Sequence, residues 1–187
     1  MPDGEVQKNC RFDVCCECKL GCCQDAKPPI TNERKRIIEE YLKKERISIE
    51  YPFVQAEYCF PAVDERGFCI FYHKQTKKCL VHSVKPETCK AGPITFDINR
   101  RTQKVEWFLK TAALCSFAEK LHQDDTQFKA HFKEAKAEIL RLIQGLDAEA
   151  LRAILRIEEP QTFKIGEDAL PDEAAKKLEF ETNANEK

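Results

Sequence analysis

Six of the eleven cysteines in this chain fall within fourteen residues: Cys10, Cys15, Cys16, Cys18, Cys22 and Cys23. Cys59, Cys69, Cys79, Cys89 and Cys115 follow at wide spacing. A thiolate is a soft anionic donor, and a loop that crowds several of them does so to hold zinc or an iron–sulfur cluster. The bland reading of any one cysteine is a small buried hydrophobe. That reading suits Cys59 and Cys115 taken singly. It fails for residues 15–23, where Glu17 and Lys19 within, and Gln24 and Asp25 just after, argue against a core segment.

The spacing limits how these sulfurs can be used. Two residues between Cys15 and Cys18 let the chain curl so that both reach one centre. Neighbouring side chains on extended backbone point to opposite sides. Cys22 and Cys23 therefore serve two centres, or one of them is structural. The same choice holds for Cys15 and Cys16, with Cys16 the expected non-ligand. The loop alone supplies three or four thiolates and needs help from downstream.

Metal is expected rather than disulfides. Met1-Pro2-Asp3-Gly4-Glu5 shows neither a basic start nor an apolar stretch, and no apolar segment approaches bilayer length. The expectation is a soluble cytoplasmic protein, in a compartment where thiols stay reduced. An odd cysteine count also fits a complete disulfide framework poorly.

The downstream text is recognisable. Phe12-x2-Cys15-x2-Cys18-x3-Cys22-Cys23, then Gly67-Phe68-Cys69-Ile70-Phe71-Tyr72, then Cys79-Leu80-Val81-His82-x2-Lys85-Pro86-x2-Cys89-Lys90-x2-Pro93 follow in order. Together they resemble the CxxCxxCC family, the YkgJ-like cysteine-cluster domains that chelate zinc or iron. The likeness spans roughly residues 10–115. It departs from the family's usual text in a longer gap between Cys18 and Cys22, in Lys85 and Lys90 for arginines, and in Gly92 for an aromatic.

Residue by residue, the resemblance implies Cys15, Cys18, Cys22, Cys23, Cys69, Cys79 and Cys89 as metal ligands, with Cys115 a candidate eighth. Eight thiols allow two four-ligand centres; four or five allow one cluster. A [4Fe–4S] cluster is favoured over zinc, because an inorganic core can gather sequence-distant cysteines and the ligand set holds almost no histidine. A four-cysteine zinc site would use the same residues. Arg11, Lys19, Lys85 and Lys90 are placed to offset the negative charge of either centre. His73 and His82 are expected to pack rather than ligate.

Catalytic furniture is not visible. There is no P-loop, no dinucleotide glycine fingerprint and no His-Glu-x-x-His helix. The leading expectation is an iron–sulfur protein that transfers electrons or senses redox state. The alternatives are a zinc-stapled protein-interaction module and an enzyme or accessory subunit, the last suggested only by the lysine N-methylase that the resembling family contains. Lys and Arg number 31 against 32 Asp and Glu, leaving a formal net charge of -1. That balance gives no global argument for nucleic acid or membrane. A protein partner is the remaining option.

The elements that must position these sulfurs read as an α+β fold. Thr31 or Asn32 can cap a helix to about Arg46. Short strands are expected in 49–60, at Gly67–Tyr72 and at Cys79–His82, and a hairpin from Ile94–Ile98 and Val105–Leu109. Phe128, Phe132, Ala135, Ile139, Leu142 and Leu146 form one helical face, and Asp147 can cap a further helix. The expected division is a cysteine domain over 1–123, a helical extension over 124–160 packed on it, and a mostly flexible acidic tail over 161–187.

Overall fold

The computed structural model describes residues 22–158 and 161–179. Cys10, Cys15, Cys16, Cys18, Arg11 and Lys19 lie outside these. Within them the chain is an α+β mixture of short antiparallel sheets and six helices, with one helix before the sheets.

Helix α1 (Asn32–Lys44) starts where Thr31 Oγ1 accepts the Arg34 amide at 3.1 Å, satisfying one of the free N–H groups of the first turn. It buries Ile38 and Leu42 against Ile30, Phe71 and Val81. This small core carries the cysteine segments. Strands β1 (Phe53–Gln55) and β2 (Cys59–Pro61) form one two-stranded ribbon beside it, and β3 (Tyr72–His73) and β4 (Lys78–Cys79) another. A 3₁₀ turn over His82–Val84 leads to the five-residue helix α2 (Glu87–Ala91).

The larger core begins with the expected hairpin, β5 (Ile94–Asn99) and β6 (Lys104–Lys110). Its register pairs Ile94 with Leu109, Phe96 with Trp107 and Ile98 with Val105, so these six share one face. Helices α3 (Ser116–Gln123), α4 (Asp125–Gly145) and α5 (Ala148–Ile154) supply the other half of that core. On α4 the buried residues Ala135, Ile139, Leu142 and Ile143 recur at helical spacing. Asp147 caps α5 by accepting the Ala150 amide at 2.8 Å. The last turn of α4 packs directly on the start of α1: a Cβ added at Gly145 would fall 2.6 Å from Thr31 Cγ2.

Two local expectations are corrected. Gly67–Phe71 is not a strand; only isolated bridges, Gln24 with Phe68 and Val63 with Cys69, form there, and of the expected strand only Tyr72 joins β3. Asp64 Oδ1 accepts the amides of Arg66 and Phe68, and the Tyr72 amide turns back to the Cys69 carbonyl, so the segment coils instead of extending. Likewise only Cys79 of Cys79–His82 is in a strand.

Where composition suggested a tail, Thr162–Ala169 forms β7, the third strand of the large sheet, and α6 (Asp172–Glu179) follows. The polar residues of β7 find partners: Asp168 accepts from Trp107 Nε1 at 2.8 Å and pairs with Lys136 at 3.0 Å. Among the described residues, no helix is long and apolar enough to cross a membrane.

Candidate metal centre

Five of the eight sequence-selected cysteines are described together in one region. Cys22 and Cys23 open the described chain, and the Cys69 amide donates to the Cys23 carbonyl at 2.8 Å. Next to it the Asp25 amide donates to the Gly67 carbonyl, also at 2.8 Å. These two bonds lay the N-terminal cysteine pair against the Cys69 turn. Gly67 has φ +79, a conformation that side-chain-bearing residues rarely hold, so glycine is favoured in the turn.

Cys69 and Cys79 are presented by matching turns. In Cys69-Ile70-Phe71 the Phe71 amide is aimed at the Cys69 sulfur, and in Cys79-Leu80-Val81 the Val81 amide is aimed at the Cys79 sulfur. The residue two beyond each cysteine is an anchor: Phe71 is 1% and Val81 0% exposed in the small core. The turns are joined through β3 and β4, where Tyr72 pairs with Cys79 and the Leu80 amide donates to the Phe71 carbonyl at 2.8 Å. Backbone N–H groups directed at sulfur favour the thiolate over the thiol, which is the state a metal takes.

Cys89 comes from α2, and that short helix is clamped on both sides. Glu87 accepts from Thr31 Oγ1 at 2.6 Å and lies 3.8 Å from Arg34 of α1. Lys90 pairs with Glu138 of α4 at 2.8 Å, and Glu138 also holds Arg34 at 2.5 Å. At the helix end, the buried His131 ring places Nε2 3.0 Å from the Ala91 carbonyl and 3.1 Å from that of Gly92.

The thiols act on one another electrostatically. Cys23 is influenced by Cys22, Cys89 and Cys79, and Cys89 by Cys79, Cys22 and Cys69. Cys23 donates a hydrogen bond to Cys22, which with Lys85 and Lys110 lowers Cys22 to about 6 against the partial desolvation of its sulfur, although the residue as a whole is exposed. Burial pushes Cys69 up to about 11 and raises Cys79 and Cys89 as well, Lys85 working the other way on the last two. Lys85 thus reaches three of the five sulfurs. His82 is held down to about 3, first by burial and then by Lys85 and Lys90, so it stays neutral at physiological pH.

The remaining two described cysteines lie apart. Cys59 is buried, with Lys35 and Glu39 of α1 as its charged neighbours. Cys115 packs against the large core at the start of α3. Among the described residues, no group of three or more His, Cys, Asp or Glu side chains is close enough to hold a metal ion. The donor chemistry nonetheless fits a metal–thiolate centre: sulfurs from three segments, amides aimed at two of them, and a cation reaching three.

Three elements of this region escaped the sequence reading: the Phe71 and Val81 amides, Lys110, and the Glu138 clamp behind Lys90. Only the first had a readable signal, a cysteine followed by two apolar residues, repeated ten positions later.

Comparison with known proteins agrees with this chemistry. Residues 14–130 match the CxxCxxCC family, described as "Putative zinc- or iron-chelating domain". The chain belongs to this family. A similar curated protein is the uncharacterized protein MJ0661 of Methanocaldococcus jannaschii, 30% identical over 122 residues. The match covers 57% of this chain and 65% of that relative's length. No solved structure matches. The family's metal chemistry fits either zinc or an iron–sulfur cluster as the bound group.

Proposed function

We propose that this chain binds a [4Fe–4S]-type cluster and uses it to transfer electrons or sense redox state. The ligands are drawn from Cys22, Cys23, Cys69, Cys79 and Cys89, completed by Cys15 and Cys18 from the residues before them. The carrying observation is the pair of matching turns at Cys69 and Cys79, seated on the buried Phe71 and Val81 and joined by the Tyr72–Cys79 pairing, with a backbone amide favouring each thiolate, beside Cys22, Cys23 and Cys89. Amides directed at sulfur delocalise the negative charge that a reduced cluster gains, and such contacts set its potential. Among the described residues one group of sulfurs forms, because Cys59 has no sulfur among its charged neighbours and Cys115 packs on the other core. Neutral His82 would pack beside it rather than carry charge.

Metal and acid-labile sulfide analysis of protein purified without oxygen tests this reading. Iron with matching sulfide, and a visible absorption band that bleaches on reduction, are expected. Stoichiometric zinc without iron would replace the cluster by a zinc staple on the same sulfurs.

A further inference from the structure

We infer that an acidic protein docks on the cysteine face, over the exposed Cys22. This deepens the metal-centre reading and rests on it: the partner is the one that exchanges electrons with that centre. Between Arg66 and Lys90, the stretch that carries Cys69, Cys79 and Cys89, there are six cations and one carboxylate. That carboxylate, Glu87, is 2% exposed and turned inward to Thr31 and Arg34. The surface of this stretch is therefore positive only.

The cations divide by what they face. Lys85 and, from the end of β6, Lys110 act on the thiols and offset the charge of a thiolate centre. Lys90 is engaged by Glu138 and Lys74 by Asp64, at 2.8 and 2.7 Å. The Lys74–Asp64 pair ties the 64–67 turn, which carries Arg66, to the tip of the β3–β4 ribbon, which carries Lys77 and Lys78. These three are exposed and have no carboxylate within salt-bridge distance among the described residues. Glu65 precedes Arg66 in the chain, and Asp25 is held to the Gly67 carbonyl by its amide.

A partner-facing rim has this composition. Charges at the edge of a contact steer encounter and orientation, whereas the exposed centre supplies the short path for an electron. Cys22 is the exposed thiol of the group; Cys23, Cys69, Cys79 and Cys89 are half-buried. An acidic protein is favoured over nucleic acid because the rest of the chain is not basic: the formal net charge is -1. A long polyanion would run off this small rim onto surface that repels it, while a compact acidic surface covers only the rim.

The test measures fluorescence anisotropy of a labelled polyglutamate peptide and of a single-stranded oligonucleotide of equal charge, with the full anaerobically purified chain. Metal content is measured on every sample. The peptide is expected to bind at low salt and to weaken roughly tenfold in the triple variant R66E/K77E/K78E. The control K43E/K44E, on the exposed end of α1, should bind like wild type. No binding, equal loss in both variants, or tighter binding of the oligonucleotide would overturn the inference. Because binding and metal are read separately, a metal-free wild type defeats the cluster reading without deciding the docking result.

Discussion

The Cys69 amide donates to the Cys23 carbonyl at 2.8 Å, which ties the N-terminal cysteine pair to the first of the two anchored turns by backbone alone. A backbone bond of this kind holds the two segments in register without using a sulfur. Its neighbour, the Asp25 amide to Gly67 carbonyl, shares the load.

Gly67→Ala tests that register. The left-handed backbone at φ +79 costs a side-chain-bearing residue about 1 kcal/mol, and the new Cβ would meet Asp25 Oδ1 at 2.1 Å. The carboxylate tip can swing away, so the backbone supplies most of the penalty. Thermal denaturation should show a loss of about that size, and metal content should fall because Cys22 and Cys23 lose their seat. Full metal occupancy in the variant would show that the register is not needed for assembly.

Cysteine substitutions should divide by neighbourhood. Cys89→Ser removes a sulfur coupled to Cys79, Cys22 and Cys69 and should sharply lower metal content. Cys59→Ala deletes only a buried sulfur with no thiol among its charged neighbours; it should cost about 1 kcal/mol of stability and leave metal stoichiometry unchanged. Cys115→Ser should behave like Cys59→Ala. Inductively coupled plasma analysis of the three variants beside wild type reads the outcome directly.

The order of events along pH follows from the opposite shifts of Cys22 and Cys69 in metal-free protein. Cys22 is lowered to about 6, chiefly by the hydrogen bond from Cys23. Its contribution to folding is complete above the ordinary thiol value of roughly 8.5 and is lost as pH falls through about 6. Cys69 is raised to about 11 by burial, so its contribution is complete below that ordinary value and lost as pH rises through about 11. Alkylation followed by mass spectrometry at neutral pH should therefore label Cys22 first, and Cys23→Ala should slow that labelling. Metal affinity should climb with pH, since Cys69, Cys79 and Cys89 must each give up a proton to bind.

Much of the scaffold was legible because it obeys local rules. Thr31 caps α1, the alternation of Ile94, Phe96 and Ile98 against Val105, Trp107 and Leu109 gives the hairpin, and the Ala135–Ile139–Leu142 spacing gives α4. The cysteine turns were not legible as turns, because Gly67-Phe68-Cys69-Ile70-Phe71-Tyr72 has the composition of a strand. What overrides that composition is Asp64, whose side chain takes up two amides that a sheet would otherwise use. β7 was missed for the opposite reason. Its Lys164, Glu167 and Asp168 look solvated in sequence, yet each has a partner on a neighbouring element: Lys164 reaches Glu106, Glu167 reaches Lys104, and Asp168 reaches Trp107. Pairing at such distance leaves no local trace.

Glu138 makes the last and largest prediction. It is 6% exposed, and its carboxylate receives Arg34 of α1 at 2.5 Å, Lys90 of α2 at 2.8 Å and Arg141 at 3.0 Å. Burial opposes its charge, but these cations prevail and hold it below the ordinary carboxylate range; Glu87, facing the same guanidinium, is shifted upward, first by burial. Glu138→Ala strands a buried Arg34 with only the 3.8 Å contact to Glu87, and breaking a buried pair in this way costs about 3 kcal/mol or more. The loss should appear in denaturant unfolding. The double variant Arg34→Met with Glu138→Leu removes both charges together and should recover most of it, since apolar side chains of similar volume can replace a buried ion pair. If the double variant is as unstable as the single one, the network is needed for the placement of α2 and not only for charge balance. Metal content then separates the two roles, because Cys89 rides on that helix.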